Sequence, residues 1–376
     1  MVIRNAFVYT EEGHFEKKDL FIKEKFFTDE IDTQGNIIDA EGHYAIPGLT
    51  DIHFHGCVGY DFCDGTYEAI EAIAKYQAKH GVTTICPASM TLPEGVLSKI
   101  LKVAATYESK EGAILCGVNL EGPFLSLGKK GAQNERYLTK PDYDLYKKLQ
   151  ETSCGLIKLV DVAPEEEGAM EFIQKVSKEV IVSIAHTMAD YDCALEAFEH
   201  GANHVTHLYN AMQPLSHRAP GVIGAAMDTP GCNVELICDG IHVHPSVVRA
   251  TLKMFGEERI ILVSDSMMAA GMPNGRYTLG GQEVEVNDRK ATLVTDGAIA
   301  GSATNLMECL KNVVNMGIPL QTAVKCAAVN PAKAIGIFNR YGSIRAGKIA
   351  NVVLLDGGLN VRKVILNGKV FFESIS

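Results

Sequence analysis

Apolar residues fall into two kinds of pattern along this chain. Roughly the first 45 and the last 30 residues contain short β-rich runs, such as IRNAFVYT and VRKVILNGKVFF, which glycines separate. In the central part, nearly continuous apolar runs alternate with longer stretches of helical periodicity. Continuous apolar runs are typical of parallel strands that are covered on both faces.

Eight such runs begin near residues 50, 82, 113, 156, 180, 204, 234 and 259. Helical segments separate them; Thr66 is placed to cap TYEAIEAIAKYQAKH and Gly81 to end it. Eight strand–helix units over about 250 residues predict an α/β protein with a (β/α)8 TIM-like barrel. We expect the barrel at residues 47–342 and a small β-sandwich domain built from both chain termini, residues 1–46 and 343–376.

Composition narrows the classes of function. The chain has 35 Lys and Arg against 46 Asp and Glu, a net charge of −11. This balance argues against a nucleic-acid or membrane-surface binder, which needs a basic face. We expect neither a signal peptide nor a membrane span, because no apolar run reaches about 18 residues. The ten cysteines are scattered without CxxC spacing and predict free thiols in the cytoplasm.

Residues that commonly bind metals stand at the carboxyl ends of the predicted strands. They are His53 and His55 after the first run, Glu121 after the third, His186 after the fifth, His207 after the sixth and Asp265 after the eighth. Strand ends of a barrel meet at one mouth, where catalytic residues collect. Each residue alone has a structural explanation, but together they favour a site for one or two divalent ions, zinc or iron.

The other histidines are not predicted to be ligands. His204 precedes His207 by three residues on the same run and is expected to point to the opposite face. His217 and His244 are expected in solvated loops.

The motifs as a set resemble the N-acetylglucosamine-6-phosphate deacetylases of the amidohydrolase superfamily. The resemblance spans essentially the whole chain, through IPGLTDIHFHG, LEGPF, SIAHT, VTHLYNAM, SDS, AVNPAKAIGI and GSIRAGKIANVVLL. The HxH and the late aspartate are specific only to the superfamily, and some members lack the HxH and use a single ion. EGPF with KKGA, and THLYNAM followed by Arg218, are specific to the deacetylase branch.

This resemblance implies metal-dependent hydrolysis of the acetamide of N-acetyl-D-glucosamine 6-phosphate to D-glucosamine 6-phosphate and acetate, in amino-sugar catabolism. Glu121, His186 and His207 would bind the ion present throughout the branch. His53 and His55 would bind a second ion, with Glu121 between the two.

Further roles follow from the same resemblance. Asp265 would take a proton from the attacking water and deliver it to the leaving nitrogen. Gln133 stands where many members have a histidine that polarises the acetyl carbonyl; its amide donates a hydrogen bond but carries no positive charge. Asn210, the backbone at Ala211, Arg218 and His242 would hold the sugar phosphate. The region of Arg218 and His242 lies near a subunit interface in the family, which implies a homodimer.

Several alternatives stay open. An N-acetylgalactosamine-6-phosphate deacetylase acts on a sugar that differs in the orientation of one hydroxyl, and the sequence does not separate the two. A cyclic amidase would use a carbamylated lysine at the end of the fourth strand, whereas Lys158 lies early in that run. A deaminase would have a different set at the fifth and eighth strands. A non-catalytic scaffold would be expected to lose ligands that this chain retains.

Overall fold

The computed structural model describes residues 1–30, 35–109 and 111–374. In chain order its strands are β1 (Val2–Tyr9), β2 (Phe15–Lys23), β3 (Phe26–Thr28), β4 (Ile37–Asp39), β5 (Tyr44–Pro47), β6 (Leu49–Asp51), β7 (Gly56–Cys57), β8 (Tyr60–Asp61), β9 (Val82–Ile85), β10 (Ile114–Leu115), β11 (Val118–Leu120), β12 (Ile157–Val162), β13 (Ile181–Ile184), β14 (His204–Val205), β15 (Asn233–Ile237), β16 (Ile260–Val263), β17 (Gly275–Leu279), β18 (Gln282–Asn287), β19 (Lys290–Leu293), β20 (Val352–Leu355), β21 (Val361–Leu366) and β22 (Lys369–Glu373).

The α-helices are α1 (Tyr67–Lys79), α2 (Glu94–Thr106), α3 (Tyr143–Thr152), α4 (Ala169–Val176), α5 (Tyr191–Glu199), α6 (Gly221–Asp228), α7 (Pro245–Phe255), α8 (Leu306–Asn315), α9 (Leu320–Val324) and α10 (Asn330–Ala334). Short 3₁₀ turns lie at Phe62–Asp64, Leu127–Lys129 and Glu135–Tyr137, and a π-helical turn at Lys325–Val329.

The barrel consists of two arcs of parallel strands. One arc has the order β10-β9-β6 and the other β11-β12-β13-β14-β15-β16, so the third predicted strand is divided into β10 and β11. Backbone contacts join the arcs at both edges: Ala88 bridges Asn119, and Asp265 N donates to His53 O at 2.9 Å. Helices α1 to α8 alternate with the strands. The TIM-like barrel predicted from the apolar runs is therefore confirmed.

The first barrel helix shows how local sequence fixes an element. The side chain of Thr66 accepts a hydrogen bond from Ala69 N at 3.2 Å, as the cap prediction requires. Ile70 and Ile73 lie on the buried face of α1. Gly81 follows with φ +83°, a left-handed conformation that glycine adopts without strain, and the chain turns directly into β9.

Both chain termini join in one sheet outside the barrel. Its strand order is β22-β21-β20-β5-β1-β2-β3, and β4 pairs with β1. Residues such as Ile3, Val8, Val352 and Ile365 form its apolar core. The shared terminal sheet was predicted, but the described strands make one eight-stranded sheet. A two-layer sandwich and the boundaries at residues 46 and 342 therefore stay predictions.

An antiparallel sheet of β17, β18 and β19 follows the last barrel strand and was not predicted. Gly280 and Gly281 form the two-residue turn between β17 and β18, with φ +57° and +79°. Its buried residues, including Leu279 and Val284, pack against Met90 and Met267 beside the barrel mouth. The sheet therefore forms one wall above the strand ends.

Among the described residues, every helix is too short or too polar to pass through a membrane.

Candidate active site and metal centre

Each predicted ligand lies just beyond the carboxyl end of a barrel strand. β11 ends at Leu120, directly before Glu121. β13, β14 and β16 end two residues before His186, His207 and Asp265, and β6 ends two residues before His53. Because the strands are parallel, these ends meet at one mouth, and the structure brings all the predicted ligands together there.

Glu121 lies at the centre of the cluster. Its Oε1 is 2.9 Å from His186 Nε2 and 3.4 Å from His207 Nε2. The two histidine Nε2 atoms are 3.2 Å apart. Two imidazole nitrogens and one carboxylate oxygen thus converge on one side of Glu121, a donor set that suits zinc or iron.

A second group faces the other oxygen of Glu121. Oε2 is 3.6 Å from His53 Nε2 and 3.3 Å from His55 Nε2. Asp265 Oδ1 lies 3.3 Å from the same His55 atom. Glu121 therefore stands between two groups of nitrogen and oxygen donors, as the resemblance implied for two ions.

Burial and unsatisfied polar atoms test whether these residues fit a metal. Two groups of residues, His53–Glu121–His207 and His53–His55–Asp265, could each hold an ion. Within each group, the possible ligand atoms all lie within 4.8 Å of one another. His53 Nε2 and Glu121 Oε2 are buried without a hydrogen-bond partner in the part of the chain that the structure describes. Unpartnered buried polar atoms cost free energy, and a cation placed between them would remove that cost. The donor set therefore fits divalent metal.

The backbone is strained at three of these positions. His186, His207 and Asp265 have φ of +44°, +29° and +46°. Residues other than glycine rarely adopt such left-handed conformations, and where they do, the strain is commonly found at functional sites. The turn at each strand end directs these side chains into the cluster.

The electrostatics of the cluster favour ionised carboxylates. Burial raises the pKa of Glu121, but the charge of His53 and hydrogen bonds from His186 and His207 hold it well below its usual value. Burial likewise raises the pKa of Asp265, and the contact with His55 and the charge of His53 outweigh it, so the pKa is lowered. Both side chains are thus charged at neutral pH.

Glu235 lies behind the cluster, in the middle of β15, and was not predicted. It is fully buried and faces His53, His204 and the backbone of His207. Burial raises its pKa, but the charge of His53 and hydrogen bonds from both histidines lower it to about 2. The sequence did contain a signal that could have predicted this residue: Glu235 is a carboxylate inside the apolar run VELICDG, and a buried charge needs partners.

Asp239 is a second residue that sequence reasoning missed. Its Oδ2 is 2.8 Å from His242 Nδ1, and its Oδ1 accepts hydrogen bonds from the backbone nitrogens of Ile241 and His242. Burial lowers the pKa of His242, but the hydrogen bond and charge of Asp239 outweigh this effect, so the net shift is upward. Asp239 therefore fixes the orientation of a predicted substrate-binding ring.

A cavity of about 500 Å³ opens above the cluster. Most of the predicted substrate-binding residues line it, namely Gln133, Asn210, Ala211 and His242. Gln133 Oε1 accepts from Thr91 N at 2.7 Å, and its amide nitrogen, the donor group, lies 3.8 Å from Met90 Sδ. Arg218 does not line this cavity; it lies exposed in the loop after β14.

Comparisons with known proteins identify relatives that match nearly the whole chain. A curated N-acetylglucosamine-6-phosphate deacetylase of Bacillus subtilis (strain 168) is 35% identical over 380 residues, 99% of this chain and 94% of that protein. An N-acetylgalactosamine-6-phosphate deacetylase of Escherichia coli O157:H7 is 32% identical and covers 98% of both chains. The crystal structure of an N-acetylglucosamine-6-phosphate deacetylase from Pasteurella multocida matches with a TM-score of 0.92 at 31% identity, over 98% of each chain.

These similarities extend over nearly the full length of the chain, so the resemblance drawn from the motifs is confirmed. The relatives are deacetylases, which agrees with a hydrolase of amide bonds. The model of the amidohydrolase family matches residues 44–371. The chain belongs to the amidohydrolase family.

Proposed function

We propose that the protein hydrolyses the acetamide of N-acetyl-D-glucosamine 6-phosphate to D-glucosamine 6-phosphate and acetate. The observation that carries this proposal is the Glu121-centred cluster of histidines and Asp265 at the floor of a cavity of about 500 Å³. Relatives that match nearly the whole chain are deacetylases of this substrate.

The proposed metal ligands are Glu121, His186 and His207 for one ion, and His53 and His55 for a second. Asp265 completes the second group, and Glu121 offers one oxygen to each side. A divalent ion, zinc or iron, supplies Lewis acidity toward the acetamide oxygen and makes hydroxide available at neutral pH.

Asp265 moves the proton in this proposal. Its lowered pKa leaves Oδ1 ready to accept the proton of the attacking water. As the tetrahedral carbon collapses, the same carboxyl delivers that proton to the sugar nitrogen, and the C–N bond breaks. The acid product passes its remaining proton to the amine, so acetate and the ammonium form of the sugar leave, and atoms and charges balance. Gln133 donates from its amide nitrogen toward the oxyanion, a contact that strengthens as negative charge develops.

The cavity wall and the loop after β14 position the substrate in this proposal. Asn210 and the backbone of Ala211 line the cavity beside His242, whose raised pKa favours the cationic form that attracts phosphate. Arg218 is the proposed bidentate phosphate ligand. Its exposed position outside the cavity of its own chain favours delivery from a second subunit, so we propose a homodimer.

A cytoplasmic location is part of the proposal. All ten cysteines are free, which suits a reducing compartment.

Acetate release tests the proposal and separates the two sugars. The substrates are N-acetylglucosamine 6-phosphate, its galactosamine epimer and unphosphorylated N-acetylglucosamine, each assayed with metal content measured on the same sample. We expect the highest kcat/KM with the first and a large loss without phosphate. A higher kcat/KM with the galactosamine epimer would assign the enzyme to that sugar instead. A fully metallated protein that releases acetate from neither phosphorylated sugar would overturn the proposal.

A further inference from the structure

Glu235 connects three parts of the metal cluster through one buried carboxylate. Oε2 accepts from His53 Nδ1 at 2.9 Å and from the backbone nitrogen of His207 at 3.2 Å. Oε1 lies 3.1 Å from His204 Nε2. Glu235, His53 and His204 are all fully buried, so these contacts do not compete with solvent.

The chemistry of the carboxylate fixes where the protons lie. An ionised carboxylate only accepts hydrogen bonds, so the ring nitrogens that face Glu235 must carry hydrogen. In the neutral ring of His53, the proton on Nδ1 leaves the lone pair on Nε2. That atom faces Glu121 Oε2 at 3.6 Å and is the one proposed to bind metal. A carboxylate behind a ligating imidazole also makes the ring a better donor.

We infer that Glu235 is the positioning residue of the His53–His55 half of the site, which it prepares for a second divalent ion. This inference rests on the proposed metal-dependent function. Glu235 reaches neither His55 nor His186 in the contacts described, so its influence is directed at His53 and at the His207 backbone.

The isosteric change Glu235→Gln tests this directly. A glutamine amide has one accepting oxygen, so it cannot accept from His53 and His204 at both ends. If its nitrogen faces His53, the ring must present a lone pair at Nδ1 and a proton at Nε2, the tautomer that cannot bind metal.

Calorimetric titration of metal-free protein with Zn²⁺ supplies the main readout. We expect the wild type to bind two ions and Glu235→Gln to bind one with nearly unchanged affinity and the second about 10–100-fold more weakly. His53→Gln should show the same selective loss. The matched control is Glu257→Gln, the same isosteric change at a carboxylate that lies before the amino end of β16 and binds Thr322 and Lys325. The control should keep both affinities.

Two unchanged affinities in Glu235→Gln would overturn the inference, as would a wild type that binds a single ion. Neither result bears on the proposed reaction, which acetate release measures separately. If Glu235→Gln does not fold, nitrogen-15 NMR of histidines in the metal-free wild type decides the matter, with the His53 signals assigned by their loss in His53→Gln. At a pH where the ring is neutral, a hydrogen on Nδ1 and none on Nε2 supports the inference, and the opposite tautomer contradicts it.

Discussion

Asp51 is a buried acid at the base of the site, two residues before His53. Its Oδ2 accepts from Ser264 Oγ at 2.5 Å, and this contact ties the first barrel strand to the last. Burial raises its pKa to about 7, although hydrogen bonds from Ser264 and His53 oppose the shift. The side chain is fully buried, so its titration bears on the stability of the barrel.

The raised pKa of Asp51 predicts a pH-dependent loss of stability. The folded protein holds this proton up to about pH 7, whereas the unfolded chain releases it near 3.8. The contribution of Asp51 is therefore full below the unfolded pKa and is lost as pH rises through the folded one. The side chain of Asp51→Asn does not titrate. The free energy of unfolding of this variant, relative to wild type, should therefore rise by roughly 1–3 kcal/mol as the pH goes from about 5 to about 8.

Urea unfolding of metal-free protein at both pH values measures this difference, because groups common to wild type and variant cancel. A difference in the free energy of unfolding that does not change with pH would contradict the assignment to Asp51.

At the scale of elements, the loop after β14 carries two kinds of proposed substrate contact. Asn210 and Ala211, in its first half, line the cavity, and Ala211 has φ +52°. The end of the loop carries Arg218 into solvent. One segment therefore reaches both the cavity of its own chain and the surface at which we propose that a second subunit docks.

Arg218→Ala tests the phosphate role of this loop. We expect KM for the phosphorylated substrate to rise about tenfold or more, because a charge-assisted bidentate contact is lost, while kcat and metal content change little. Arg4→Ala, at an exposed arginine of the terminal sheet, is the matched control and should leave KM unchanged. An unchanged KM in Arg218→Ala would remove this residue from phosphate binding.

Sequence patterns predicted the barrel because each strand is a continuous apolar run and each metal-binding candidate follows such a run. The antiparallel sheet β17–β19 was missed although YTLGGQEVEV carries a glycine-pair turn and alternating residues, which are typical of a hairpin. Glu235 was missed because the site candidates were residues at strand ends, and this carboxylate lies inside β15. His204 was expected on the opposite face from His207, and it contacts Glu235 rather than Glu121. Such contacts between strands distant in sequence depend on the closure of the barrel.

For the whole molecule, the barrel, the cavity and the metal cluster together form the proposed deacetylase site. The barrel brings the strand ends together, and the β17–β19 sheet walls the cavity. Local charge differs from overall charge: the chain carries −11, yet His242 and Arg218 are proposed to meet an anionic substrate. The most specific consequence is that proton transfer depends on Asp265.

The most direct measurement is therefore acetate release from N-acetylglucosamine 6-phosphate by Asp265→Asn. The asparagine keeps the shape of the side chain but cannot take a proton, so the rate should fall roughly 10²–10⁴-fold while calorimetry still detects substrate binding. Asp19→Asn, at an exposed carboxylate of β2 in the terminal sheet, serves as the control and should keep its rate. A rate for Asp265→Asn within a few-fold of wild type, at equal metal content, would contradict the account.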